Sequence, residues 1–212
     1  MSEQRVILTD EGSGKSLELP VIKGTEGEPT LKIKAVPSTL GYFTYDPGFT
    51  ATASCTSTIT FIDGGKGILR YRGYPIEQLA EQSTFLEVAY LLLFGELPTT
   101  AEFEDFETDI TYHTMVHEKL NTFISGFHYD AHPMAMLVGV VGSLAAFYHD
   151  KMNMSDPEHR ILAAKRMIAK IPTIAAACYR HYMGRPTAYP NNELNYTEAF
   201  LDMMFSVPSE PY

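Results

Sequence analysis

The chain has 212 residues, of which 45% are hydrophobic and 12% aromatic, and its formal net charge at pH 7 is −10. This length predicts one or two domains with a substantial core, and the negative charge argues against a nucleic-acid partner. Cys55 and Cys178 are the only two cysteines, which excludes a framework of disulfides and is typical of the reducing cytosol.

Residues 1–72 are predicted to form a β-rich N-terminal region. The region starts without a basic segment followed by an apolar core, so we expect no signal peptide and a cytoplasmic location. Its β-rich runs are separated by Gly, Glu and Pro, and the glycine-rich stretch Asp63–Gly67 predicts a hairpin. The strands are predicted at Arg5–Thr9, Leu17–Ile22, Leu31–Val36, Thr58–Ile62 and Ile68–Tyr71.

Residues 73–212 are predicted to be helical, which makes the fold class mainly α with a small β-rich part. Pro75 suits a first helical position, Asp156-Pro157 suits a helix start, and Gly95 suits a helix end. The capping-box pattern, in which Thr or Asn is followed three residues later by Glu, occurs three times. Its helices would begin after Thr84, Thr99 and Asn195.

Pro133–Tyr148 is apolar on every side, which is typical of a helix buried in a core or in a subunit interface. At 1.5 Å per residue it would be roughly 24 Å long, which is short for a membrane span, so no membrane partner is expected. A second long helix follows Asp156, and Pro172 predicts a kink in it.

Three local patterns suggest sites, and each has a plain structural alternative. Glu11–Ser16 resembles the end of a phosphate-binding loop, but Thr9 stands where that motif needs glycine, so a turn is the better interpretation. His113 and His117 lie four residues apart on a predicted helix, beside Glu118. They have the spacing of metal ligands, but without a third ligand they favour a histidine pair on a helix face.

Arg166 and Lys170 also lie four residues apart on a predicted helix, where like charges repel mildly. Lys165 and Arg160 are close by in the sequence. An anionic ligand could hold such a cluster together, and a solvated helix face is the alternative.

A set of local sequences spread along the chain carries a family resemblance: Phe43–Phe49, Ser57–Gly64, Arg72–Leu79, His113–Glu118, Asp130–Ala135, Ala145–Tyr148, Asn195–Tyr196, Met203–Phe205 and Ser209–Tyr212. Together they resemble citrate synthase, in the family's order and along essentially the whole chain. The β-rich N-terminal region resembles that of the larger, allosteric, NADH-regulated type of Gram-negative bacteria. The resemblance implies the multi-helical citrate synthase fold, with 73–212 as an incomplete large-domain portion.

The resemblance implies the condensation of acetyl-CoA with oxaloacetate and water to citrate and CoA, at the entry to the tricarboxylic acid cycle. In the family, an Asp acts as base on the acetyl methyl group and a His stabilises the enol. These residues follow the sequence that matches Ser209–Tyr212. We therefore expect the chain to be an N-terminal portion that is inactive alone, with no catalytic residue, cofactor or metal of its own.

The resemblance also implies an effector site, because five residues match the pocket in which NADH inhibits the allosteric type: His113, Thr114, Tyr148, Arg166 and Lys170. Arg and Lys suit nucleotide phosphates. Three residues differ from those of the NADH-sensitive enzymes. Tyr112 and Asn191 each stand where those enzymes have Arg, and Ser209 stands where they have a reactive Cys.

Self-association is expected, as a homodimer that assembles to a hexamer in the complete enzyme. The helices matching Pro133–Tyr148 and His159–Gly184 form much of the family's dimer interface, and open apolar faces drive association. Two other functions remain open: a non-catalytic module that binds a nucleotide such as NADH, and an interface-forming helical module. Citrate formation tests the citrate synthase interpretation, and nucleotide binding distinguishes the nucleotide-binding module from the interface-forming module.

Overall fold

The computed structural model describes residues 4–151 and 153–208, apart from the side chain of Asp150. The chain divides into two compact units, Met1–Glu77 and Gln78–Tyr212. Helices dominate the described residues and the described strands are short, which confirms the prediction of a mainly α fold.

The first unit contains two antiparallel sheets and a short helix. Strands in each sheet follow chain order, β1-β2-β3 and β4-β5-β6. The first sheet consists of β1 Arg5–Thr9, β2 Ser16–Ile22 and β3 Thr30–Leu31, and helix α1 is Val36–Leu40. The second sheet consists of β4 Thr60–Asp63, β5 Ile68–Tyr71 and β6 Tyr74–Pro75.

The predicted hairpin around Asp63–Gly67 is present, with Asp63 paired to Ile68. The Asp63 carboxylate accepts a hydrogen bond of 3.1 Å from the backbone of Lys66, which fixes the turn. Hydrogen bonding in this turn, and the ion pair with Lys66, lower the pKa of Asp63.

The stretch Glu11–Ser16 forms most of the tight turn between β1 and β2, and Ser16 is the first residue of β2. There the Asp10 N–H donates to the Lys15 carbonyl at 2.9 Å, and the Gly14 N–H donates to the Asp10 carbonyl at 2.8 Å. A phosphate-binding loop leads from a strand into a helix, whereas this turn leads back into a strand. The interpretation as a plain turn is confirmed.

Two predicted boundaries in the first unit are wrong. The strand expected at Leu31–Val36 ends at Leu31, and helix α1 begins at Val36 because Pro37 suits the first turn of a helix. Pro75 does not open a helix: it lies in strand β6, and the following helix starts at Ile76.

The remaining helices follow in chain order, with a 3-10 turn at His149–Lys151 between α6 and α7. Thr84, Thr99 and Asn195 each form the predicted capping box. Gly95 ends its helix in the left-handed conformation that glycine favours. The helices are α2 Ile76–Gln82, α3 Phe85–Phe94, α4 Thr100–Tyr112, α5 Glu118–Ser125, α6 Pro133–Phe147, α7 Pro157–Tyr182 and α8 Tyr196–Phe205.

The core of the second unit surrounds α7, which contacts α4, α5, α6 and α8. One apolar cluster joins α5, α6 and α7 through residues such as Leu120, Val140 and Ile174. A second cluster joins α3, α4 and α7 through Phe106 and Ala169. Helix α7 continues through Pro172, and its kink stays a prediction.

Helix α6 is buried on its inner face only, so it is not the fully enclosed centre of the core, and its burial in a subunit interface stays a prediction. Its inner face is buried at Met136, Val140 and Leu144, whereas Val138 is 72% exposed and Met134 is 58% exposed. One apolar face of α6 therefore lies open to solvent. Among the described residues, no helix has both the length and the apolar character that a membrane span requires.

Candidate functional site

The predicted effector residues come together where α4 ends and α5 begins. Helix α4 ends at Tyr112 with His113 as its C-cap, and α5 begins at Glu118 with His117 as its N-cap. The segment between them lies against α7, because side chains of α7 hydrogen bond to three successive carbonyl groups of this segment.

Lys170 donates to the backbone oxygens of His113, at 2.6 Å, and Met115. The Thr173 hydroxyl donates to the backbone oxygen of Thr114 at 2.9 Å. The carbonyls of an irregular segment have no partner in a helix or sheet, so these side-chain bonds satisfy acceptors that would otherwise be unpaired. Lys170 is only 3% exposed and is therefore a structural residue of this segment.

Two cations lie over one tyrosine ring. The Arg166 guanidinium carbon is 4.7 Å from the centroid of the Tyr148 ring, and the Lys170 nitrogen is 5.2 Å from the same centroid. Both distances are within the range of cation–π attraction. The tyrosine face thus offsets part of the repulsion between the two like charges.

Burial is the main cause of the altered acidity in this cluster. Burial, followed by the nearby Arg166 charge, lowers the pKa of Lys170 to about 8. Burial also raises the pKa of the Tyr148 hydroxyl, although the Arg166 charge acts in the opposite direction. The Nε atom of Arg166 is buried and makes no hydrogen bond within the described residues. Arg166 is therefore the cation of the pair with unused donor capacity.

A neighbouring ion pair fixes the other end of the cluster. The Lys165 ammonium lies 2.5 Å from the Asp109 carboxylate, which links α7 to α4. His113 Nδ1 lies 2.7 Å from the Asp109 backbone oxygen, so this nitrogen is the protonated one. Lys165 thus has a carboxylate partner, whereas no described carboxylate lies within ion-pair distance of Arg166 or Lys170.

A cavity of about 440 Å³ opens beside Thr114, between α4, α7 and α8. Its volume lies within the range of small-molecule sites. Apolar side chains such as Ile110 and Met203 line it, together with the polar groups of Thr111 and Asn192. The Thr114 hydroxyl lies 3.1 Å from the Asn192 side-chain oxygen. Asn192 is a residue that the sequence patterns missed, because it lies 78 positions away and carries no motif of its own.

The structure brings four of the predicted residues into one connected cluster, His113, Tyr148, Arg166 and Lys170, with Thr114 at its border with the cavity. Of the three departing positions, Tyr112 is 82% exposed and also lines the cavity. Asn191 is exposed, and Ser209 lies outside the described residues.

The prediction that His113 and His117 share a helix face is wrong, because the helix ends between them. His117 Nδ1 accepts a hydrogen bond of 3.0 Å from the Lys119 N–H and caps α5, so this nitrogen is not available to a metal. The part of the chain that the structure describes contains no group of three or more His, Cys, Asp or Glu residues that could hold a metal ion.

Comparisons with known proteins identify the fold. Residues 48–212 match the family described as citrate synthase, C-terminal domain. A citrate synthase from Pyrobaculum aerophilum is 32% identical, with a TM-score of 0.67, over 87% of this chain and 44% of that one. A citrate synthase from Thermotoga maritima MSB8 is 30% identical, with a TM-score of 0.65, over 80% of this chain and 43% of that one.

A third solved structure is the citrate synthase of Thermoplasma acidophilum in a ternary complex with carboxymethyl coenzyme A and oxaloacetate. It is 28% identical, with a TM-score of 0.69, over 74% of this chain and 41% of that one. The family match covers most of the chain, so the chain belongs to the citrate synthase family. It spans less than half of the length of these solved relatives.

Proposed function

We propose that the chain is the N-terminal portion of an enzyme that condenses acetyl-CoA with oxaloacetate and water to give citrate and CoA. The observation that carries this proposal is the family match over residues 48–212. The solved ternary complex supports the substrates, because that relative binds a coenzyme A derivative together with oxaloacetate. The reaction belongs to the acyltransferase class and needs no resident cofactor or metal.

The test is release of the CoA thiol from acetyl-CoA and oxaloacetate, measured in parallel for two proteins. One is the 212-residue chain, and the other continues past Tyr212 through the remainder of the family's length. We expect activity only in the longer protein. Activity in the short chain would contradict our placement of the catalytic residues, and inactivity of both folded proteins would contradict the proposed reaction.

We further propose that the enzyme is of the larger allosteric type of Gram-negative bacteria, and that NADH binds at Tyr148 and Arg166, beside the segment that Lys170 holds in place. The unused Nε donor of Arg166 and the position of its guanidinium over the Tyr148 ring support this second function. Arginine binds phosphate in a bidentate manner. Arg166 would contact the phosphates, and Lys170 would hold the segment His113–Met115 in place.

An NADH titration followed by fluorescence tests the effector site. Arg166→Gln should weaken binding at least tenfold, and Arg185→Gln, which removes an exposed arginine outside the cluster, should not. A complete enzyme that does not bind NADH, or that loses equal affinity in both variants, would overturn this proposal without affecting the proposed reaction.

We also propose cytoplasmic localisation and self-association, as a homodimer that assembles to a hexamer in the whole protein. The open apolar face of α6, with Val138 and Met134 exposed, supports association. Val138→Lys should therefore shift the sedimentation coefficient toward the monomer. An unchanged assembly in that variant would exclude this face as a contact.

A further inference from the structure

The cavity beside Thr114 has no part in the proposed NADH contacts, because none of Tyr148, Arg166 and Lys170 lines it. The proposed reaction does not use it either. A second cavity, of about 360 Å³, adjoins it along α4. Four residues line both cavities and therefore form the wall between them: Leu86, Glu107, Asn195 and Tyr196. The chemistry of this wall and of the cavity floor indicates what could bind there.

The floor of the larger cavity is apolar and belongs to the protein core. Ile110, Ala169 and Met203 line it, and each of these side chains is at most 2% exposed. At one end of the cavity, the Thr114 hydroxyl donates to the Thr111 carbonyl at 2.9 Å and is therefore engaged within the protein. The floor thus suits the apolar part of a ligand.

The charged side chains that line the two cavities are all carboxylates among the described residues, and they belong to Glu107, Glu193 and Glu198. The lysines of the neighbouring helix α7 are bound elsewhere, because Lys165 pairs with Asp109 and Lys170 donates to backbone carbonyls. A site lined by one sign of charge repels ligands of the same sign and attracts the opposite one. These cavities therefore disfavour a phosphate and favour a cation.

Glu107 is the lining carboxylate that the fold both buries in part and leaves unpaired. It is half-buried in the wall between the two cavities. Within the described part of the chain, no cation lies within ion-pair distance of its carboxylate. The Glu198 carboxylate, in contrast, accepts a hydrogen bond of 3.1 Å from the Asn195 N–H in the capping box of α8. A partly buried carboxylate without a partner is unfavourable, so a cation bound at Glu107 would be stabilising.

Tyr196 places an aromatic ring in the same wall as Glu107. Its hydroxyl donates to the Ile168 carbonyl at 2.8 Å, and its ring stacks on Phe85 with the centroids 4.8 Å apart. These two contacts fix the position of the ring. The face of an aromatic ring attracts a cation, so the wall combines the two kinds of group that recognise an organic ammonium.

We propose that the cavity beside Thr114 binds a small organic cation, in which a primary ammonium is joined to an apolar body. The ammonium pairs with Glu107 and lies against Tyr196, and the apolar body covers Ile110 and Met203. The volume of about 440 Å³ accommodates a single ring with a short side chain. This site is separate from the proposed reaction and from the proposed NADH contacts, so its failure would leave both unaffected.

Three compounds with the same phenylethyl body test the charge preference. They are 2-phenylethylamine, which is a cation at neutral pH, the uncharged 2-phenylethanol and the anionic 3-phenylpropionate. Saturation-transfer NMR titrations with the complete enzyme measure the dissociation constant of each compound. We expect the amine to bind at least about tenfold more tightly than 3-phenylpropionate, with the alcohol between them, because the amine alone forms a charged hydrogen bond with Glu107.

Three substitutions locate the site. Glu107→Gln keeps the shape of the side chain and removes its charge, so the amine should bind at least about fivefold more weakly while binding of the alcohol is unchanged. Glu104→Gln is the matched control, because Glu104 is an exposed glutamate of α4 that lines neither cavity. Ala199→Leu places a larger side chain in the cavity and should weaken binding of the amine and of the alcohol alike.

This pattern of affinities would support the proposal. Equal affinities for the three compounds would overturn it, and so would equal losses of amine binding in Glu107→Gln and Glu104→Gln. Amine binding that Ala199→Leu leaves unchanged, or no binding of the amine to the folded wild-type enzyme at millimolar concentration, would overturn it as well.

Discussion

Lys170 should make the stability of the helical unit rise with pH across an unusual range. Its pKa is lowered from 10.5 to about 8 in the folded chain, mainly by burial. A base with a lowered folded pKa binds its proton more weakly in the folded state than in the unfolded one. Between the two pKa values the unfolded chain holds more protons, so the free energy of unfolding increases with pH. The gain in the free energy of unfolding from Lys170 is therefore nearly absent below pH 8 and complete above pH 10.5.

The magnitude follows from these two pKa values. Linkage gives a gain of about 1.4 kcal/mol at pH 9 and about 2.6 kcal/mol at pH 10, relative to neutral pH. Lys170→Met should remove this pH-dependent gain. It also leaves the carbonyls of His113 and Met115 without their donor, so the variant should be less stable than the wild type by roughly 2–4 kcal/mol at pH 7. The stability difference between them should then widen as pH rises.

The assay is urea unfolding followed by circular dichroism at pH 7, 8, 9 and 10. Lys165→Met is the control for the loss of one positive charge. Lys165 is the preceding lysine on the same helix, but it pairs with Asp109 and not with backbone carbonyls. If the difference between wild type and Lys170→Met is constant with pH, or narrows, then Lys170 is not a desolvated cation and this reasoning is refuted.

Two further substitutions test the packing of the helical unit by urea unfolding. Arg180 is buried and donates hydrogen bonds to the carbonyls of Pro186, Met203 and Ser206. Arg180→Met should therefore lower the free energy of unfolding by about 3 kcal/mol, because these acceptors lose their donor. Arg185 is exposed, so Arg185→Met should lower it by less than about 0.5 kcal/mol. Equal costs would contradict a structural role for Arg180. Gly142→Ala should stabilise the chain by about 0.5–1 kcal/mol, because a Cβ there meets no atom within 4 Å and alanine favours a helix. Gly139→Ala should stabilise the chain less than Gly142→Ala, because its Cβ would lie 3.2 Å from the Phe127 ring. If Gly139→Ala is the more stabilising of the two, this close contact does not oppose the substitution.

The features that sequence predicted well are those encoded by neighbouring residues. The capping boxes at Thr84, Thr99 and Asn195 need only a side chain and a glutamate three residues later, and all three are present. The hairpin at Asp63–Gly67 is likewise specified by its own turn residues. Such signals operate over one turn of chain, so tertiary contacts rarely reverse them.

The break between α4 and α5 could not be predicted from spacing, because distant residues fix it. Lys170 and Thr173 hold the carbonyls of residues 113–115 from positions more than 50 residues away. A local reading continues the helix across this segment and places His113 and His117 on one face. The same long-range bonds mean that Lys170, which the family resemblance implies is part of an effector pocket, supports the protein backbone, while Arg166 has the unused donor.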